Sequence, residues 1–300
     1  MSQHDRQSFL GPTSEQDLAG ITVGIVGLGG GGSHVVQQLA HLGVGGYVIV
    51  DPDTIDETNL NRLVGGTRAD VDAKEPKIRI AERAIRRVLP HARISAHAST
   101  WQEVAGELKH CDVIIGGLDS VIAKDQIDGF SKRFLIPYID MGMDVHKLGD
   151  RFLIAGQVVL TMPGGPCLRC MGVVTEAALA TEARLYGAAG GKPQVVWPNG
   201  VLASTAVGLF TQLVCPWHDK PMAAAYLEYD GNKHTVVPSM RLAALADRPC
   251  SHHHANETGE PRFDIRNPPA QVTPQPEASA AVDSAAPAWW RAMVRFFKGR

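Results

Sequence analysis

The chain has 300 residues, 44% of them hydrophobic, enough for one large domain or two small ones with a substantial core. Its formal net charge of −2 supplies no global basic field, and no nucleic-acid partner is expected. No apolar run approaches the roughly 20 residues that span a bilayer, the segment Met1 to Gln7 is polar where a secretory signal would be apolar, and five cysteines are too few and too odd in number for a disulfide scaffold, so a cytoplasmic protein without a transmembrane segment is expected.

The apolar run Ile21 to Leu28 has strand length, ends in glycines and leads into Ser33 to Leu42, where Val35, Val36, Leu39 and Leu42 recur at helical spacing. A second apolar run, Gly46 to Val50, ends at Asp51. These segments form one β-α-β unit with a right-handed crossover, a mononucleotide-binding half. Pro76 to Leu89 is an amphipathic helix ended by Pro90, Arg93 to Ala98 a short strand, and Asp112 to Gly116 a buried strand ending near Asp119-Ser120. A helix over Ala123 to Arg133 and a strand over Pro137 to Asp140 continue the alternation. The pattern predicts an α/β fold: a doubly wound, mostly parallel, Rossmann-like sheet whose ligands lie beyond the carboxyl ends of its strands.

From Gln157 the pattern changes: a strand over Val158 to Thr161, a glycine and cysteine cluster, a small-residue helix around Glu176 to Gly187 and a long apolar helix from Gly200 to Cys215, stopped by Pro216. Ala224 to Asp230 and Lys233 to Pro238, separated by Gly231-Asn232, read as antiparallel strands completing the sheet. Residues 255–287 are rich in Pro, Ala, Ser, Glu and Thr, the composition of a disordered linker. Residues 288–300 set Trp289, Trp290, Met293, Val294 and Phe297 at helical spacing among four positive charges, an amphipathic terminal helix. The expected organisation is a domain over 1–254, the linker, and this helix.

Gly27-Leu-Gly29-Gly30-Gly31-Gly32-Ser33 carries the G-x-G-x-x-G spacing, in which glycines let the backbone turn tightly and approach a phosphate at a helix N-terminus. Asp51, ending the second strand, suits the ribose hydroxyls. The two together indicate a nucleotide, with adenylate and dinucleotide both open. The following segment, Asp51-Pro-Asp53 through Asn59-Leu-Asn-Arg62 and then Pro76-Lys77, directs an amide, a guanidinium and an ammonium at one nucleotide end, as phosphoryl or adenylyl transfer needs. Lys74 competes with Lys77 for the triphosphate, Arg62 and Lys77 have the alternative of being solvated surface charges, and Asp119 that of capping the next helix.

These residues, with the Arg6-Gln7 pair, Leu118-Asp119-Ser120 and the later Cys-x-x-Cys, resemble the ThiF/MoeB/ubiquitin-activating-enzyme superfamily over about Asp5 to His253. The resemblance implies an ATP-dependent adenylyltransferase that activates the C-terminal carboxylate of a small ubiquitin-like or sulfur-carrier protein and releases pyrophosphate. It implies further that Gly27, Gly29, Gly30 and Gly32 shape the phosphate loop, Asp51 holds the ribose, Asn59, Arg62 and Lys77 contact the phosphates and Asp119 holds Mg2+. Arg6 matches an arginine that reaches the partner's site in homodimeric members. Gly31 departs from the pattern, which usually has Leu there. Members that form a thioester carry a further cysteine commonly between the knuckle and the long helix, and Met171 to Asn199 contains none; a downstream conjugation or sulfur-transfer protein is a further partner class.

Cys167-x-x-Cys170 and Cys250-x-x-His253 are ligand pairs at knuckle spacing and together make a Cys3His set for tetrahedral Zn2+, with His252 and His254 adjacent as other candidates for the fourth ligand. Cys111 and Cys215 read as small core residues. The competing readings are adenylation of a peptide, small carboxylate or carbamoylated nucleoside, a non-catalytic nucleotide-binding scaffold, and an NAD-linked dehydrogenase.

Overall fold

A computed structural model describes residues 4–184, 193–215, 217, 223–245, 248, 250–253 and 259. The linker over 255–287, the terminal helix over 288–300 and His254 therefore lie outside the described residues. Eight strands form one sheet: β1 Thr22–Val26, β2 Gly46–Val50, β3 Arg93–His97, β4 Val113–Gly116, β5 Tyr138–Leu148, β6 Arg151–Thr161, β7 Ala225–Asp230 and β8 Thr235–Pro238, in spatial order β3-β2-β1-β4-β5-β6-β7-β8. The pairs from β3 to β5 are parallel and those from β5 to β8 antiparallel. The sheet is thus Rossmann-like, with antiparallel strands completing it as the alternation predicts.

The helices are α1 Ser14–Gly20, α2 Gly30–Leu42, α3 Arg68–Asp72, α4 Lys77–Val88, α5 Ala105–Leu108, α6 Val121–Arg133, α7 Glu176–Arg184, α8 Val196–Val214 and α9 Met240–Ala243. The period of two along each strand divides the core. Ile25, Ile49, Ile115, Ile139 and Val158 face α2, α4 and α8, while Val26, Val50, Ile114, Tyr138 and Val159 face α6 and the cysteine segment. Both faces are covered, which explains why β1, β2 and β4 read as continuous apolar runs. No helix among the described residues is long and apolar enough to cross a membrane.

One hairpin outgrows its sequence signal. β5 pairs with β6 along its full length, from Tyr138↔Thr161 to Leu148↔Arg151, around a turn at Gly149 with φ +60°. Only the first part of β5 is buried; its far end is exposed, so the alternation and apolar content that mark a strand stop near Met141 although the ladder continues. Chain order places β1 between β2 and β4, so connections leave the carboxyl ends of β1 and β4 in opposite directions. A crevice opens at that switch point.

Candidate functional site

The crevice is a cleft open to solvent, lined by the glycine turn, the end of β4, the middle of β5 and the start of α8. Its floor is the glycine turn. Gly27 has φ +88°, and a Cβ there would lie 2.6 Å from the Gly117 carbonyl oxygen; a Cβ on Gly32 would lie 1.9 Å from the Gly27 oxygen. These two glycines are therefore required for β1, α2 and the β4 end to meet. Gly29 and Gly30 line the cleft itself, and a Cβ on Gly29 would find no atom within 4 Å. That open space borders the first turn of α2, whose leading N–H groups have no intrahelical acceptor, the arrangement that receives a phosphate. Gly31 has Met141 Cε 3.4 Å from its Cβ position, an ordinary contact, so glycine here leaves the turn intact.

Asn59, Arg62, Lys77 and Asp119 line the same cleft, so the structure brings together the residues picked out as phosphate and metal contacts. Asn59 is buried at the end of a short turn capped by Asp56. Lys77 opens α4 and bonds Asp53 at 2.7 Å, with Asp51 at 3.7 Å. Lys74, the competing candidate, is exposed with φ +51° and does not line the cleft, whereas Lys77 does. Asp51 lies beneath the turn: it is 4% exposed, and its carboxylate accepts from the Leu28 N–H at 2.6 Å and the Asp53 N–H at 2.9 Å. Burial raises its pKa, while Lys77 and the two N–H groups act against that rise.

Ser120, rather than Asp119, caps α6, its hydroxyl accepting from the Ala123 N–H at 3.1 Å. The Asp119 carboxylate instead faces the cleft and accepts from Gln194 Nε2 at 3.2 Å. One protein carboxylate in the same cleft as the α2 N-terminus would suit Mg2+, an ion that keeps several waters and takes few protein ligands. Met141, Gly142, Met143 and Asn199 complete the wall and were not singled out from sequence. Asn199 had a signal, an amide in the first turn of an otherwise apolar helix; the β5 residues had none, standing just past the predicted strand Pro137 to Asp140. Arg6, on an exposed turn over Asp5–Leu10, does not reach this cleft.

A second cluster lies at the knuckle. Cys167 Sγ is 3.5 Å from Cys170 Sγ, which is 3.6 Å from Cys250 Sγ, and His252 Nδ1 is 3.4 Å and 3.3 Å from the first two. Donors about 2.3 Å from a tetrahedral ion stand roughly 3.8 Å apart, so this set fits zinc. Of the candidates for the fourth ligand, His252 lies with the three cysteines, whereas His253 groups with Asp128 and Cys167. His253 packs against Gly129, its Nε2 buried without a hydrogen-bond partner. Burial, reinforced by nearby carboxylates, pushes the Cys111 thiol up to about 12; burial raises that of Cys215 to about 11. Both are inert core residues at neutral pH.

The sequence model of the ThiF family matches residues 2–252. A sulfur carrier protein adenylyltransferase of Thermus thermophilus is 28% identical over 275 residues, covering 83% of this chain and 92% of the relative. A SAMP-activating enzyme E1 of Haloferax volcanii is 29% identical, covering 57% of this chain and 60% of the relative. For the molybdopterin-synthase adenylyltransferase of Escherichia coli the identity is 28%, with 49% and 57% covered. The match thus spans less than two thirds of the latter two. Among solved structures, E. coli MccB with ATP superposes with a TM-score of 0.62 at 18% identity, covering 79% of this chain and 68% of that one, a likeness of fold. On the family match, which spans residues 2–252, the chain belongs to the ThiF family.

Proposed function

We propose that this protein uses ATP to adenylate the C-terminal carboxylate of a small ubiquitin-like or sulfur-carrier protein, releasing pyrophosphate. The observation that carries this reading is the single cleft in which the first turn of α2, Asn59, Arg62, Lys77 and Asp119 converge at the switch point of the sheet. The names of the relatives, adenylyltransferases and activating enzymes, support the same reaction.

In this mechanism the α2 N-terminus and the loop N–H groups receive phosphate oxygens. Arg62 and Lys77 neutralise negative charge as the carboxylate oxygen attacks the α-phosphorus and the bond to the pyrophosphate oxygen breaks. Lys77 is exchangeable between Asp53 and a phosphate, because its present partner is an exposed carboxylate. Magnesium, held by Asp119, supplies charge neutralisation on the phosphates when bound. No protein nucleophile is needed, consistent with the inert settings of Cys111 and Cys215. Arg6 is proposed to act in trans in a homodimer, and Zn2+ to be structural.

The test is exchange of radiolabelled pyrophosphate into ATP, with and without a ubiquitin-fold protein ending in glycine. Exchange that requires the carrier supports the reading. Exchange driven by a peptide or small carboxylate would redirect it, and no exchange with any carboxylate would leave a nucleotide-binding scaffold.

A further inference from the structure

Across the mouth of the cleft runs a chain of hydrogen bonds that the proposed reaction does not use. Arg62 Nη1 donates to the Asn61 Oδ1 at 3.0 Å and to the Thr58 carbonyl at 2.6 Å. Asn61 Nδ2 donates in turn to the Gln194 carbonyl at 2.9 Å. Gln194 Nε2 then donates to the Asp119 carboxylate, 3.2 Å from one oxygen and 3.5 Å from the other. The polarity is fixed by chemistry: a carboxylate only accepts and a guanidinium only donates, so both amides must be oriented as written. The backbone around Gln194 is anchored further, since the neighbouring Val195 carbonyl accepts from Asn199 Nδ2 at 2.9 Å at the start of α8.

Both ends of this chain are groups the proposed reaction needs elsewhere. Arg62 must turn its N–H groups to phosphate oxygens, and the Asp119 oxygens must face a divalent cation. Gln194 Nε2 stands within 3.5 Å of both Asp119 oxygens, and its partial positive charge opposes a cation that approaches along that edge of the carboxylate. The α7 side of the connection grips the same turn: Glu182 accepts from the Val121 N–H at 2.6 Å and the Ile122 N–H at 3.3 Å, directly after Asp119-Ser120.

We infer that Asn61 and Gln194 are positioning residues forming a strap that links Arg62 to Asp119 across the cleft and gives way at both ends to magnesium and nucleotide. This rests on the site reading above. The strap keeps the guanidinium and the carboxylate at fixed places, and it makes metal and nucleotide binding compete with intramolecular hydrogen bonds. All of these bonds sit near the surface, so each resists displacement by a few-fold rather than by orders of magnitude.

The test is calorimetric binding of a non-hydrolysable ATP analogue to the full chain over a magnesium series. Gln194→Ala should lower the magnesium concentration for half-maximal nucleotide binding by about 3- to 10-fold, since it removes the donor on Asp119. Asn61→Ala should also raise magnesium-free affinity for the analogue about 3-fold, since it removes one of the two acceptors on Arg62 Nη1. Gln194→Met keeps the side-chain length without the donor and replaces the alanine variant should that fail to fold. A merely structural role would lower the melting temperature and weaken binding at every magnesium level. Unchanged or weaker binding in folded variants overturns the strap. If wild-type binding is magnesium-dependent and Asp119→Ala abolishes that dependence, such a result leaves the site reading standing. If wild-type binding ignores magnesium altogether, the site reading fails and the strap with it.

Discussion

Asp70 and Asp119 show how differently two carboxylates of this chain are employed. Asp70 is 6% exposed and accepts from both Arg83 terminal nitrogens at 2.7 Å and from the Thr67 hydroxyl at 2.7 Å. Arg83 above all, with Thr67, holds its pKa well below the usual carboxylate range. Because the folded value is depressed, the associated stability is present above the unfolded value of about 3.9 and is lost as pH falls below it. Arg83→Met should therefore flatten the fall in melting temperature between about pH 4 and pH 2 that the wild type shows. Parallel profiles for the two proteins would remove this pair from the acid response. Asp119, by contrast, faces the cleft with only an amide on it. Asp119→Ala and Arg62→Ala should each slow pyrophosphate exchange by about 100- to 1,000-fold, the effect of losing one preorganised group on transition-state charge. Circular dichroism of both variants should match wild type, since neither side chain is part of the core; wild-type exchange rates would sink the assignment.

At the level of elements, the turn between β1 and α2 was legible because glycines at fixed offsets are the only residues that fit it. The structure divides them into two jobs. Gly27 and Gly32 press on backbone, whereas Gly29 faces open space. Gly32→Ala should thus destabilise the fold by about 3 kcal/mol or more, through a clash that no side chain can relieve. Gly29→Ala should melt like the wild type yet bind ATP at least about tenfold more weakly, because its methyl group stands where a phosphate approaches the loop. Equal ATP affinity in that variant would place the phosphates elsewhere. The parallel strands were readable for a related reason, since burial on both faces makes them uniformly apolar. The outer halves of β5 and β6 were not, because their ladder runs into solvent and nothing in residue type marks it. The same limit hid Met141 to Met143, within β5 beyond its apolar stretch, and Gln194, just ahead of α8. It also hid the choice between His252 and His253, neighbours of one residue type whose different surroundings only the folded chain shows.

On the scale of the whole molecule, the cysteine cluster joins parts of the chain that have little else in common. Cys167 and Cys170 follow β6 and are docked on α6, where the Leu168 N–H donates to Asp128 at 2.8 Å and Arg169 bonds Asp125 at 2.6 Å and 2.7 Å. Cys250 and His252 come some eighty residues later, beyond β8 and α9. An ion held by all four would close the chain back onto the α6 face, away from the residues that line the cleft. Such a link contributes to folding rather than to chemistry. Protein purified without chelator should contain one zinc per chain by elemental analysis. Cys250→Ser and His252→Ala should lose that zinc and melt at least about 5 °C lower, a shift of roughly 2 kcal/mol for a domain of this size, while retaining most pyrophosphate exchange at low temperature. His253→Ala should keep the zinc, because its ring packs against Gly129 beside Asp128 and groups with only one of the three thiols, that of Cys167. Zinc lost in His253→Ala but kept in His252→Ala would return the fourth position to His253, and a protein free of zinc altogether would mean that the cluster stands on its packing alone.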